Sequence, residues 1–267
     1  MLGAVLVGSL VALVLALPLA WKWELGVRRS ALAVSGFAVL SAGVVMALDA
    51  AIAFDPWLTA LIVAALTLSL AAAVVLWRFY RDPERTAPDR DGVVVSPADG
   101  LVVYVHRSER GELPVSTKHG RRFRLDELVR TPLQDNDAVV VGIALSFLDV
   151  HINRAPIAGA VQVQRRYPGR FASLKEPAAV YTNERATTLL ERPGLQVAVV
   201  LIASRLVRRI VSYVREGDDV AVGQRIGAIR FGSQVDVVLP DSQDVQVLVE
   251  PGERVWAGES VIAEVRA

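Results

Sequence analysis

The sequence contains no cysteine and only three histidines in 267 residues. Without cysteine there is no disulfide framework, no thiolate nucleophile and no thiolate-ligated metal. The histidines are His106, His119 and His151, and neither an HExxH pattern nor a carboxylate-rich loop accompanies them, so no metal site is expected. Charge of one sign is lacking too. The net charge is +1, which gives no field for a nucleic-acid partner. Lysine disappears after Lys175: none lies between Glu176 and Ala267.

What is abundant is apolar sequence, at 53% of residues, and it is concentrated at one end. Met1–Trp21, Ser30–Leu48 and Pro56–Trp77 contain no charged residue. Each reaches the roughly 18 residues that cross a hydrocarbon core as a helix. The first run lacks the basic leader of a secretory signal, and two more follow it, so residues 1–77 read as a transmembrane anchor of about three helices. A two-helix hairpin is the alternative. Lys22, Arg28 and Arg29 lie between the first two runs against a single Glu24, whereas the only charged residues between the next two are Asp49 and Asp55. Arg78, Arg81, Arg85 and Arg90 follow the third run. Basic residues mark cytoplasmic ends, so the expectation is a cell-membrane protein whose C-terminal domain is cytoplasmic.

Residues 78–90 are polar and contain proline, and read as a linker to a domain at 91–267. There the apolar runs become short and Val-rich: Val93–Val95, Leu101–Val105, Ala138–Ile143, Ala160–Val163, Val197–Ile202 and Ile210–Val214. Such runs between Gly, Pro and Asp turns predict strands and a β-dominated domain. Arg124–Arg130 predicts one or two helical turns, and Ala203–Arg209 a short helix. An internal repeat lies near the end. Gly217, Val220, Gly223 and Ile226 correspond to Gly252, Val255, Gly258 and Val261 at a constant offset of 35. Two copies related by a pseudo-twofold predict the barrel-sandwich core of lipoyl and biotinyl carriers. A carrier needs a lysine at the tip between the copies, and this chain has Phe231-Gly232-Ser233 there. A membrane-anchored, non-enzymatic β-sandwich adaptor is not excluded by that argument.

Gly232-Ser233 stands between two apolar β-patterned runs. Glycine has no Cβ, so its carbonyl is open to attack by the next residue's hydroxyl. Transfer of the acyl group from nitrogen to the Ser233 oxygen, elimination of that ester to dehydroalanine, and hydrolysis would leave an N-terminal pyruvoyl group. Gly-Ser alone is a common turn pair. The reaction needs a base. His106 and His119 stand in polar, basic surroundings and read as surface residues. His151 follows an apolar run and precedes a turn ending at Pro156; by itself it also fits a structural histidine bonded to a backbone carbonyl. Asp99, in Ser96-Pro97-Ala98-Asp99-Gly100, by itself fits a plain turn.

Together these elements resemble phosphatidylserine decarboxylase, in the short membrane-anchored form of archaea and some bacteria. The resemblance rests on Phe79–Arg85 (FYRDPER), Ser96–Gly100 (SPADG), Asp149–Pro156 (DVHINRAP), Asn183-Glu184-Arg185, and Arg225–Pro240 with its Gly232-Ser233 junction. It implies cleavage at 232/233, a pyruvoyl cofactor made from Ser233, and a cleaved small subunit that stays as partner. It implies a Schiff base with the amine of a membrane serine phospholipid, phosphatidylserine or archaetidylserine, and release of the ethanolamine lipid. Asp99 matches the family's triad aspartate and would orient an imidazolium at His151, which would serve as cleavage base, as proton donor to the decarboxylated carbanion, or as both. Arg154, Asn153 and Arg185 would bind substrate. Two departures stand out. Longer members carry a second histidine where this chain has Arg154, and usually read Leu-Gly-Ser-Thr where this chain reads Phe231-Gly232-Ser233-Gln234. The sequence leaves open diacyl against diether lipid, and whether copies associate as a homo-oligomer.

Overall fold

The computed structural model describes all residues except 24, 117–121, 134–136, 175, 177, 205–208, 230–233 and 267, and the side chains of 115, 116 and 122 are also outside the description. The chain divides into two units, Met1–Arg81 and Asp82–Ala267.

The first unit is three helices, α1 (Leu2–Lys22), α2 (Val27–Ile52) and α3 (Pro56–Tyr80). Each is long and apolar enough to cross a membrane. Helix α3 starts sharply because the Asp55 carboxylate accepts from the Trp57 amide at 2.8 Å and Pro56 occupies the first turn. The helices pack through small residues and a shared valine cluster, Val5, Val45 and Val63. Gly8 permits the closest approach: a Cβ there would lie 2.3 Å from the Ala60 carbonyl oxygen.

The second unit is built of strands. In chain order they are β1 (Val93–Val95), β2 (Gly100–Arg107), β3 (Glu112–Ser116), β4 (Arg122–Arg124), β5 (Ala138–Ala144), β6 (Ile152–Arg154), β7 (Gly159–Tyr167) and β8 (Arg185–Arg192). There follow β9 (Leu195–Ile202), β10 (Ile210–Ser212), β11 (Asp219–Val220), β12 (Arg225–Ile229), β13 (Gln234–Pro240), β14 (Val245–Val247), β15 (Arg254–Val255) and β16 (Val261–Val265). Two short helices, α4 (Leu125–Val129) and α5 (Ala179–Thr182), interrupt them. The expectation of apolar N-terminal helices of membrane-crossing length followed by a β-dominated domain is met. The Ala203–Arg209 helix falls largely on residues outside the described set. Strand β8 was not foreseen, because its Leu-Leu-Glu-Arg end carries helix-favouring residues.

An eight-stranded curled sheet runs β11-β7-β8-β9-β13-β5-β2-β15, with every described pairing antiparallel. Both faces are covered. Val235, Val237 and Leu239 of β13 enter one apolar cluster and Val238 enters another with Tyr181 and Leu128. Side chains alternate along a strand, so Gln234 and Asp236 share the second face with Val238.

The repeat is visible in the backbone and is larger than the glycine pattern showed. Gly217 and Gly252 have φ of 91° and 99°, and Gly223 and Gly258 have 75° and 77°. Upstream segments correspond too, at an offset of 59 residues: Val95 donates to the Pro156 carbonyl, and Arg154 donates to the Pro97 carbonyl. Gly258 donates to Ser96 and Gly223 to Ala155, while Gly252 donates to Val102 and Gly217 to Val161. Ser96–Gly100 and Ala155–Gly159 are therefore equivalent turns, and Asp99 stands where the other copy has Ala158.

Candidate functional site

The turn between β1 and β2 is shaped by the Ser96 hydroxyl, which donates to the Ala98 carbonyl at 2.7 Å. It leaves Asp99 almost wholly buried, 3% exposed. One carboxylate oxygen accepts from Arg85 Nη1 at 2.5 Å and the Ala257 amide at 2.8 Å. The other accepts from Arg85 Nη2 at 2.8 Å and, more loosely, the Val150 amide at 3.4 Å. This is no local Asx turn: the side chain joins four separate segments.

His151 follows Val150 directly and is also buried. Its Nδ1 lies 2.7 Å from the Asp149 carbonyl. A carbonyl only accepts, so Nδ1 carries a proton, and in the neutral ring the lone pair then falls on Nε2. Asp99 thus reaches the histidine through the Val150 backbone, and the Nδ1 partner is a carbonyl in place of the carboxylate expected from the resemblance. Asp149 is held in turn, accepting from the Ser146 amide and from Arg254 at 2.7 Å each.

Phe231, Gly232 and Ser233 lie outside the described residues, but the strands on both sides of them are described. Strand β12 pairs with β6, Ala228 opposite Ile152, and the Ile229 amide donates to the His151 carbonyl at 3.1 Å. The chain therefore leaves β12 alongside His151. It resumes at Gln234, which is paired on both sides, opposite Ala144 of β5 and Ile202 of β9. The histidine expected to serve the junction is hydrogen-bonded to the strand that leads into it.

The three residues expected to bind substrate are all buried. Arg154 donates to the Gly223 and Pro83 carbonyls at 2.8 Å each. Burial, then Arg225 nearby, lowers its pKa, with Asp82 acting oppositely. Arg185 donates to the Glu127 and Leu128 carbonyls at 2.9 and 3.0 Å, closing the end of α4. Burial pushes its pKa down to about 10. Asn153 donates weakly to Pro97, at 3.5 Å, and its buried Oδ1 has no partner among the described residues. Of the other histidines, His106 is half-buried and stacked on Tyr104, and His119 lies outside the described residues.

One group was not foreseen. Asp236 is fully buried and accepts from the Tyr104 hydroxyl at 2.7 Å and from Gln234 Nε2 at 2.7 Å, while Gln234 Nε2 also reaches the Tyr104 oxygen at 2.6 Å. Tyr104 crosses over Gly142, where a Cβ would meet its ring at 2.4 Å. Burial pushes the Asp236 pKa up to about 6, against the pull of Gln234, Tyr104 and Arg185. The cluster fixes the first described residue after the junction. A cavity of about 630 Å³, lined by Phe123, Arg130, Arg170 and Tyr181 among others, excludes Asp99 and His151 from its walls.

Comparison with known proteins gives the family. The family model described as phosphatidylserine decarboxylase matches residues 73–263. A phosphatidylserine decarboxylase proenzyme of Symbiobacterium thermophilum is 40% identical over 236 residues, covering 88% of this chain and 96% of the relative. One of Novosphingobium aromaticivorans is 41% identical over 216 residues, covering 74% and 81% respectively. The chain belongs to the phosphatidylserine decarboxylase family.

Proposed function

We propose that this chain is a membrane-anchored proenzyme that cuts itself between Gly232 and Ser233 and then decarboxylates a serine phospholipid, phosphatidylserine or its diether counterpart, to the ethanolamine lipid. The observation that carries the reading is the bond from the Ile229 amide to the His151 carbonyl, with Nδ1 of the same histidine committed to Asp149. That arrangement supports a role for Nε2 in taking the Ser233 hydroxyl proton. A pyruvoyl group at residue 233 would supply a ketone to capture the substrate amine and accept the electrons released with carbon dioxide.

The chain's own residues have distinct tasks in this reading. His151 moves protons; Asp99 holds the Val150–His151 backbone; β13, paired on both sides, retains the new terminus after the cut. Arg154, Asn153 and Arg185 hold the scaffold around them, since the carbonyl partners of the two arginines already use their donors. The small fragment stays as a subunit because β13 to β16 are woven into sheets with strands of the large one. The catalytic domain faces the cytoplasm, on the arginine pattern after α3.

The test is to incubate the purified full chain in detergent with phosphatidylserine and, separately, with a diether serine lipid. Ethanolamine lipid and carbon dioxide in equal amounts, lost after treatment with a carbonyl reagent such as phenylhydrazine, are expected. Turnover that persists after carbonyl trapping would contradict the cofactor assignment, and no turnover of either lipid would contradict the activity.

A further inference from the structure

The segment after the membrane helices, read from sequence as a linker, is fastened to the sheet domain. Asp82 and Glu84 bind Arg225, each at 2.7 Å, and the Pro83 carbonyl accepts from Arg154. Arg85 then turns inward. Its side chain is 7% exposed, and its guanidinium takes both oxygens of Asp99 and the Ala257 carbonyl, the last at 2.9 Å. Ala257 returns its amide to the same carboxylate, closing a ring of Arg85, Asp99 and Ala257. Burial alone would lower the Arg85 pKa, but its bonds to Asp99 and the charges of Asp99, Glu259 and Asp82 raise it.

A buried ion pair is often only structural. The internal repeat argues for more here. The equivalent turn, Ala155–Gly159, has alanine at the Asp99 position and forms the same backbone hydrogen bonds without an ion pair. The turn does not need the carboxylate to fold. The pair exists in only one of the two copies, and there its second oxygen faces the Val150 amide, one residue before His151. We propose that Arg85 is a positioning residue for self-cleavage: through Asp99 it sets where His151 stands against the strand leading into the junction. The inference rests on the assignment of Asp99 and His151 to that reaction.

The experiment follows the rate of self-cleavage of newly made full chain on denaturing gels, with thermal melting of the same preparations. Arg85→Lys keeps the charge but loses the two-pronged fit and should cleave about tenfold more slowly while remaining folded. Arg85→Ala should be slower still and should recover when methylguanidinium is added at concentrations that leave the wild type unchanged. A purely structural loss would lower the melting temperature in step with the rate. Arg225→Ala, which removes the Arg225 bonds to Asp82 and Glu84 but leaves the Arg85–Asp99 pair, should cleave at the wild-type rate. Folded Arg85→Lys cleaving at the wild-type rate would overturn the inference, as would Arg225→Ala slowing cleavage as much as Arg85→Ala. Asp99→Asn separates the two levels. If it cleaves normally, the assignment of Asp99 fails; if it stalls while Arg85→Lys is normal, only the role of Arg85 fails.

Discussion

The Ile229 amide donates to the His151 carbonyl at 3.1 Å, so the last described residue before the junction is tied to the histidine expected to serve it. This contact fixes the backbone of the histidine, and the Asp149 carbonyl fixes its ring. His151→Ala should therefore slow self-cleavage by about 100-fold or more, the usual contribution of a general base. Alkylation of His151 in processed wild-type enzyme should also reduce decarboxylation. A gel time course checks the first: normal processing of His151→Ala would leave the histidine at most a proton donor in the later reaction.

Arg154 illustrates where a local motif and the fold diverge. In the sequence it stands where longer relatives have a second histidine, and its charge suits a lipid anion. In the structure its donors meet the Gly223 and Pro83 carbonyls. Arg154→Ala strands two buried acceptors and should destabilise the sheet domain by about 2–4 kcal/mol. Thermal melting in detergent measures this. Unchanged melting with a raised KM for the serine lipid would instead place the residue at the substrate.

Asp236 should make stability depend on pH in an unusual direction. Burial raises its folded pKa to about 6, above the ordinary carboxylate value of 3.8, so the folded state holds the proton more tightly. The contribution is complete below about pH 4 and is lost as pH rises through about 6, to an extent on the order of 3 kcal/mol. Asp236→Asn, neutral throughout, should remove that slope, so the stability difference between variant and wild type should grow in the variant's favour from pH 4 to pH 7. Tyr104, Gln234 and Arg185 face the same carboxyl and are unchanged in the comparison. Parallel melting curves across this range would contradict the assignment.

The membrane orientation gives an independent check. If the proposed orientation holds, with Lys22, Arg28, Arg29 and Arg78 on the cytoplasmic side, a reporter fused after Ala267 should be active only if it functions in the cytoplasm. Activity of an exported-only reporter would reverse the topology.

Much of this was legible in the sequence, and the reasons are physical. Charge-free runs of helical length have few other uses, so α1 to α3 were plain. The glycines at 217, 223, 252 and 258 marked the repeat because positive φ favours glycine. The upstream half of the repeat was hidden, since its equivalence lies in backbone hydrogen bonds that tolerate Asp99 in one copy and Ala158 in the other. Asp236 was hidden for another reason. In an alternating strand a lone aspartate suggests a solvent face, yet this sheet is covered on both sides. Arg85 was hidden because a proline-containing polar stretch reads as a linker until its partners, far along the chain, are known.

Every later step depends on the cut itself. Intact-mass measurement of the purified full chain tests it most directly. Two fragments divided between Gly232 and Ser233 are expected, the smaller spanning residues 233–267, with a blocked N-terminus whose mass fits a pyruvoyl group in place of serine. Ser233→Ala should stay whole. A folded wild-type protein of full-length mass, or a small fragment beginning with an intact serine amine, would contradict it.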